Sequence, residues 1–351
     1  MSRPIVIVGA GSLGQTYAAA LAKSGQAVTL LATPRTADRL LAAGSIHVHG
    51  AIDLNVPTGP AKSPIGTVSV TADPAAIPAG AGMIFTTKSH QIADAARTIR
   101  SFWPESTDKD AWVAGIQNGI VKDDILAEIF GAERVIGAVA ITGAQREPSG
   151  AVAVASRGAT YFGEFTGGPS ERAAEIANAF TAAGLPAEQP ADIKSVLWSK
   201  MCNATGFFAV STLSRVSSSH FGHYPELVRV YLGLVRETAA IANALGVQIG
   251  SYAGFPIKQY LDQTDDETLA FFAANAVPFE KTPSGPPSRT SMLQDLVAER
   301  PLEVDDIFAD AVARAERAGV PAVRLTVVRD LIRAIDPGRA ARLAHQPASS
   351  G

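Results

Sequence analysis

The sequence holds a single cysteine, Cys202, among 351 residues, so no disulfide can close within the chain, and a reducing compartment suits it. Charge is also scarce: Asp, Glu, Lys and Arg make up 18% of the residues, with a formal net charge of −3. That balance does not favour nucleic acid or an anionic membrane surface. No apolar run reaches the ~20 residues that cross a bilayer. The chain opens directly into the short run Ile5-Val6-Ile7-Val8, whereas a secretory segment has a longer apolar run behind a basic start. The expected location is the cytoplasm, with no membrane or nucleic-acid partner.

Apolar residues are plentiful, at 47%, which supplies a substantial core and argues against disorder. The length fits one large or two ordinary domains. In the first third, short apolar runs alternate with helical patterns. Strands are expected at Ile5–Val8, Ala27–Leu31, Met83–Thr87 and Trp112–Ile116, and helices at Leu13–Lys23, Ala37–Ala43 and His90–Ile99. This alternation implies a parallel sheet with helices on its faces, a doubly wound α/β fold. Val135–Ile141, Ala151–Val154 and Thr160–Phe162 read as strands at an antiparallel edge, and 56–66, rich in Pro and Gly, reads as a loop. Beyond Pro186–Pro190 the patterns are helical, over 192–210, 224–245, 256–263, 266–276, 303–317 and 322–335, with a loop at Pro283–Pro287. The expected organisation is an α/β domain over 1–188, an all-helical domain over 189–340 and a frayed tail over 341–351.

Gly9-Ala10-Gly11-Ser12-Leu13-Gly14 follows the first strand and opens the first helix. In this context the first glycine permits the tight turn, the second lets a pyrophosphate approach the backbone, and the third permits close helix packing. The helix N-terminus then offers unpaired N–H groups to phosphate. The second strand follows at the proper distance, which favours dinucleotide binding; the alternative is a glycine turn that only joins strand to helix. That strand ends Leu31-Ala32-Thr33-Pro34-Arg35-Thr36, without the carboxylate that would hold the ribose 2′-hydroxyl of NAD. Arg35 would attract a 2′-phosphate and the threonine hydroxyls, Thr33 included, could bond it, which favours NADP, although a solvated loop arginine gives the same sequence.

Further markers follow in order: Thr87-Lys88, Gln117-Asn118-Gly119, Leu197-Trp198-Ser199-Lys200-Met201, Ser291-Met292-Leu293-Gln294-Asp295, and Glu303-Val304-Asp305. Together with the glycine turn they resemble the ketopantoate reductase family (2-dehydropantoate 2-reductases) over nearly the whole chain. The resemblance implies a Rossmann domain and a helical domain with the active site in the cleft between them. It implies that Lys200 is the catalytic lysine, protonating the carbonyl oxygen of a 2-keto acid as hydride arrives at carbon. It further implies that Glu303 orients the substrate, that Ser291 bonds the substrate carboxylate, that Asn118 faces the nicotinamide, and that Lys88 balances negative charge beside cofactor and substrate. Read without the family, Lys200 is an exposed helix lysine, Glu303 a helix-start carboxylate, Ser291 an N-cap, and Asn118-Gly119 an ordinary turn.

The sequence departs from the family where asparagines normally follow the lysine by four and eight residues, for here stand Ala204 and Phe208. Asn203 is one residue off, a turn of about 100° on a helix, and fills that place only if the helix is distorted, as Gly206 could permit. With Phe207 beside Phe208, the wall becomes less polar, and a substrate less hydroxylated or bulkier than ketopantoate is expected. The family arginine at the end of the second strand is likewise replaced by Thr33, with Arg35 two residues on.

Other features carry less. His220 and His223 lack a Cys or acidic ligand cluster, so no metal is expected. Cys202 reads as a small buried thiol. Asp305 and Asp306 read as a solvated helix start, and Phe271, Phe272 and Phe279 as core or interface. A homodimer is plausible on the family pattern. Two other functions fit the same plan: a hydroxyacid or opine-type dehydrogenase, marked by amine-dependent NADPH oxidation in the opine case, and a non-catalytic NADPH-binding redox sensor, marked by binding without turnover.

Overall fold

The computed structural model describes residues 3–103, 110–281 and 289–339. The loop expected at Pro283–Pro287 and the tail over 341–351 lie outside the described residues. The chain divides into two compact units, Met1–Gln117 with Val121–Leu197, and Asn118–Ile120 with Trp198–Gly351. The division thus falls beyond the change of character at Pro186–Pro190.

The first unit is the expected doubly wound α/β sheet. Its strands are β1 (Ile5–Val8), β2 (Val28–Leu31), β3 (Ser45–Gly50), β4 (Leu54–Gly59), β5 (Val68–Thr71), β6 (Gly82–Phe85), β7 (Val113–Gly115), β8 (Val135–Ala140), β9 (Gly143–Arg146), β10 (Val152–Ser156), β11 (Thr160–Glu164) and β12 (Ala187–Glu188). Its helices are α1 (Ser12–Lys23), α2 (Pro34–Ala43), α3 (Ile92–Phe102), α4 (Val121–Phe130) and α5 (Glu171–Ala182). The strand order is β12-β11-β8-β7-β6-β1-β2-β5-β4-β3-β10-β9, and the run from β4 to β8 is parallel throughout. Strand side chains alternate between two apolar layers. Ile5 and Ile7 join one with Tyr17 and Leu21 of α1 and Phe180 of α5. Val6 and Val8 join the other with Ile92 and Ile99 of α3 and Leu126 of α4. Each such fully buried side chain contributes roughly 1.5–3 kcal/mol.

Two expectations are corrected. The segment 56–66 is not wholly a loop: its start belongs to β4, where Leu54 and Val56 point inward and Asn55 and Pro57 outward. Pro57 and Gly59 obscured this short alternation. The three later strands also do not share one antiparallel edge. β8 runs parallel to β7 and antiparallel to β11, whereas β10 pairs with β3 at the far end of the sheet.

The second unit is helical beyond its short N-terminal segment. Its helices are α6 (Ile193–Ser214, which begins in the first unit), α7 (Pro225–Ala244), α8 (Ile257–Asp262), α9 (Asp265–Asn275), α10 (Ser291–Val297), α11 (Asp310–Ala318) and α12 (Val323–Ile335). Tyr231 of α7 is fully buried, with its ring centroid 5.1 Å from Phe207, 5.8 Å from Phe221 and 5.5 Å from Phe272. A Cβ on Gly206 would stand 2.4 Å from this ring, so Gly206 serves helix–helix approach. Glu237 of α7 accepts from the N–H groups of Arg324 and Leu325, both at 3.0 Å, and so caps α12. The expected helix over 303–317 starts late: residues Asp305–Ala309 form a π-helical turn that runs into α11. Among the described residues no helix is long and apolar enough to cross a membrane.

Candidate active site

The glycine turn is built by packing at two of its three glycines. Gly9 has φ +107°, and a Cβ there would lie 2.9 Å from the Thr87 nitrogen. A Cβ on Gly14 would lie 2.0 Å from the Gly9 oxygen, which already accepts from Thr86 Oγ1 at 2.6 Å. Gly11 differs: its nearest neighbour would be the Thr86 oxygen at 3.8 Å, an ordinary contact. Internal packing therefore does not require glycine at position 11, while close approach of a ligand does. Gly11 caps α1 without a side chain, and the first turn holds no carboxylate, which suits an anion. Ala10 and Leu13 pack against the core beneath the turn. Two braces escaped the sequence reading. Buried Gln15 donates through Nε2 to the Ala10 oxygen at 2.8 Å, and Ser12 Oγ donates to the Ala144 oxygen of β9 at 3.1 Å.

Helix α2 begins at Pro34, earlier than expected, which makes Thr33 its N-cap residue and places Arg35 in its first turn. Thr33 Oγ1 donates to Thr36 Oγ1 at 3.1 Å, and Arg35 is exposed. Beyond β6, Thr87 Oγ1 accepts from Gln117 Nε2 at 3.3 Å, while the Gln117 Oε1 is buried without a partner among the described residues. Lys88 is partly buried, and its backbone N–H donates to Gln91 Oε1 at 3.3 Å.

In the second unit, α6 carries Lys200. The partly exposed positions that follow it on this helix are Asn203 and Phe207, not Ala204 and Phe208, which are 1% and 7% exposed. Asn203, three residues on, lies on the same partly exposed stripe of α6 as the lysine. Asn203 Oδ1 accepts from the Tyr231 hydroxyl at 3.0 Å. Burial pulls the Lys200 ammonium down to about 8. Its nitrogen lies 5.8 Å from the Phe255 ring centroid, and it has no hydrogen bond or ion pair among the described residues. Hydroxyls hold the helix around it. Ser199 Oγ accepts from the Gly250 N–H at 2.9 Å, and Thr205 Oγ1 lies 2.8 Å from Thr238 Oγ1 of α7. Neighbouring Cys202 is fully buried, and burial pushes its thiol pKa up, away from a reactive thiolate.

Ser291 is the first residue of α10, and Thr290, not Ser291, is the N-cap, accepting from the Leu293 N–H at 3.3 Å. The Ser291 hydroxyl is thereby released from capping, and it accepts from Asn118 Nδ2 at 3.5 Å. Two expected site residues far apart in sequence thus meet. Gly119, with φ +86°, would place a Cβ 2.8 Å from the Asp306 oxygen, so this turn packs against the π-helical segment. Glu303 precedes that segment and is 4% exposed, a buried carboxylate rather than a solvated helix start. Asp305 is only half-exposed and accepts from Arg333 Nε at 2.9 Å.

His223 Nε2 is 2.9 Å from the Val277 oxygen, and its ring stacks on Phe279 at 4.6 Å. Among the described residues no group of three or more His, Cys, Asp or Glu side chains is arranged to hold a metal.

Two family profiles match the chain: "Ketopantoate reductase PanE/ApbA" over residues 5–167, and "Ketopantoate reductase PanE/ApbA C terminal" over 192–336. A 2-dehydropantoate 2-reductase of Pyrococcus horikoshii is 26% identical over 91% of this chain and 92% of its own length. Among solved structures, a 2-dehydropantoate 2-reductase from Geobacter metallireducens superposes with TM-score 0.76 at 27% identity, covering 94% of this chain and 99% of that one. D-mandelate dehydrogenase, solved with NADH and anilino(oxo)acetate, shares the fold at TM-score 0.74 and 20% identity, covering 96% and 99%.

Proposed function

Because this chain belongs to the ketopantoate reductase family, we propose that it reduces a 2-keto acid to the 2-hydroxy acid with NADPH, using Lys200 as the proton donor. The observation that carries the reading is the state of Lys200: a partly buried ammonium without a hydrogen bond or ion pair among the described residues, brought to about 8 by its surroundings. A general acid is most useful when its pKa lies near the working pH, and a cation held without an internal partner is available to a developing alkoxide.

The dinucleotide fits the residues present. Gly9, Ala10, Gly11, Ser12, Leu13 and Gly14 with the N-terminus of α1 would hold the pyrophosphate, and Thr33 and Arg35 the 2′-phosphate side of the ribose. Lys88 and Asn118 would face the nicotinamide. A bound nicotinamide supplies hydride to the carbonyl carbon. Lys200 holds the carbonyl oxygen and gives it a proton as charge develops there. Ser291, held by Asn118, accepts a place beside the substrate carboxylate as a hydroxyl donor, and Glu303 and Asn203 orient the substrate through hydrogen bonds.

The aromatic Phe207 on the open stripe supports a substrate less polar than 2-dehydropantoate. NADPH oxidation by the purified protein against a panel of 2-keto acids, with Lys200→Ala as control, tests the reading. Turnover on at least one keto acid, lost in the variant, is expected. Tight NADPH binding with no turnover on any carbonyl would favour the redox-sensor alternative, and turnover only with an added amine would favour an opine-type dehydrogenase.

A further inference from the structure

Helix α6 opens to the surface at few points. Between Lys200 and Leu213 only Asn203 and Phe207 are partly exposed, and every other residue is buried. Lys200, Asn203 and Phe207 are spaced three and four residues apart, so they lie in one row on the helix. The Lys200 ammonium has no hydrogen bond or ion pair among the described residues. What the row offers beside that cation depends on which way the Asn203 amide faces.

That choice is made from α7. Tyr231 is fully buried, and its hydroxyl donates to Asn203 Oδ1 at 3.0 Å. A buried hydroxyl needs an acceptor, and Asn203 supplies the one Tyr231 has among the described residues. Burial pushes the phenol pKa well above its ordinary value, so the group stays a donor. The ring itself is fixed. A Cβ on Gly206 would stand 2.4 Å from it, so the glycine about one turn beyond Asn203 clears the way for the phenol to reach the amide. Phe207 and Phe272 flank the ring at 5.1 and 5.5 Å between centroids. Thr205 Oγ1, 2.8 Å from Thr238 Oγ1, ties α7 to α6 nearby. With its oxygen held by the phenol, the amide keeps its two N–H donors for another group, and they have no partner among the described residues. The row thus presents donors at Lys200 and Asn203, followed by an aromatic ring.

We propose that Tyr231 is a positioning residue for substrate binding: its hydroxyl holds the Asn203 amide so that the N–H2 group, in the same row as Lys200, donates to an oxygen of the bound keto acid. The role rests on the keto-acid reading above and deepens it. A row of donors suits a substrate whose oxygens only accept, such as a 2-keto carboxylate with an apolar remainder lying toward Phe207. An ammonium brought to the same row finds no acceptor there, which disfavours an amine co-substrate.

Steady-state reduction of the best keto acid of the panel, by the wild type, Tyr231→Phe, Asn203→Ala, Asn203→Asp and the double variant Tyr231→Phe/Asn203→Ala, tests this. Tyr231→Phe should raise KM by about fivefold and leave kcat within about twofold, the pattern of lost uniform binding through one neutral hydrogen bond. The double variant should be no worse than Asn203→Ala alone, because the phenol acts only through the amide. Asn203→Asp still accepts from Tyr231 but sets a negative charge toward an anionic substrate, and should raise KM about tenfold more than Asn203→Ala does. Binding is read separately by NMR on protein carrying isotope-labelled asparagine. The Asn203 amide signal, identified by its loss in Asn203→Ala, should shift when 2-oxoisovalerate is added to the NADP+-bound protein. Turnover with KM unchanged in Tyr231→Phe, or KM effects that simply multiply in the double variant, overturns the role of Tyr231 and leaves the reductase reading intact. A shifted amide signal without turnover of any keto acid overturns the reductase reading and keeps the amide as a ligand donor. Neither shift nor turnover overturns both.

Discussion

Lys200 Nζ lies 5.8 Å from the ring centroid of Phe255, a side chain only 1% exposed. The aromatic face is a weak counterweight to a buried charge, and the ammonium is accordingly brought down to about 8. On the proposed role of Lys200, reduction needs the protonated amine. Its kcat/KM should therefore be level near neutrality and fall about tenfold per pH unit above about 8. Oxidation of the hydroxy acid needs the neutral amine and should rise through the same range. Profiles in both directions check this, and a reduction limb level to pH 10 would remove Lys200 as the acid.

The same lysine opposes folding. Its folded pKa, about 8, lies below its ordinary 10.5, so the unfolded chain binds more protons between these values and stability rises with pH across that window. Lys200→Met should raise Tm at pH 7 by about 2 °C, after discounting for residual exposure, and lower turnover by roughly 100- to 10,000-fold. The thermal gain should vanish near pH 10.5. A lower Tm at pH 7 would contradict the account.

Gly11 and Gly14 should separate binding from folding. Gly14→Ala places a Cβ 2.0 Å from a backbone oxygen and should cost about 2–4 kcal/mol of stability as well as cofactor affinity. Gly11→Ala meets only an ordinary contact at 3.8 Å and should melt as the wild type does, while binding dinucleotide at least tenfold more weakly. Thermal melts paired with cofactor titrations measure both.

Ser211 Oγ of α6 is 2.6 Å from Thr290 Oγ1, the N-cap of α10, and so ties the helix of Lys200 to that of Ser291. Thr290→Ala should lower stability by about 1 kcal/mol through the lost cap. It should also raise the KM for keto acid severalfold, as Ser291 loses its fixed place. Thr290→Ser, which keeps the hydroxyl, should restore both. Failure of the serine to restore KM would argue against a positioning role.

Phe207→Asn should make the partly exposed stripe that follows Lys200 on α6 more polar. The ratio of kcat/KM for 2-dehydropantoate to that for an unhydroxylated keto acid should rise about tenfold. An unchanged ratio would place Phe207 in the aromatic packing around Tyr231 alone.

Much of this protein is legible without coordinates, because the signals are local. The glycine turn, the buried β1 and the start of α1 lie within twenty residues, and their chemistry follows from backbone geometry and alternation. The family is legible from the order of short motifs along the chain, from the glycine turn to Glu303-Val304-Asp305. Where local signals conflict, the pattern is obscured: Pro57 and Gly59 hide β4, and of the adjacent hydroxyls Thr290 and Ser291 only the structure shows that Thr290 is the cap.

The sequence by itself determined the doubly wound first unit, the helical second unit and the tight glycine turn between β1 and α1, since each rests on periodicity or on residues close in the chain. Only the tertiary structure decided which stripe of α6 stays open, that Asn118 meets Ser291, and that β10 pairs with β3. Those outcomes depend on the rotation of a helix about its axis and on strand register between distant segments, and packing fixes both only when the whole unit has assembled.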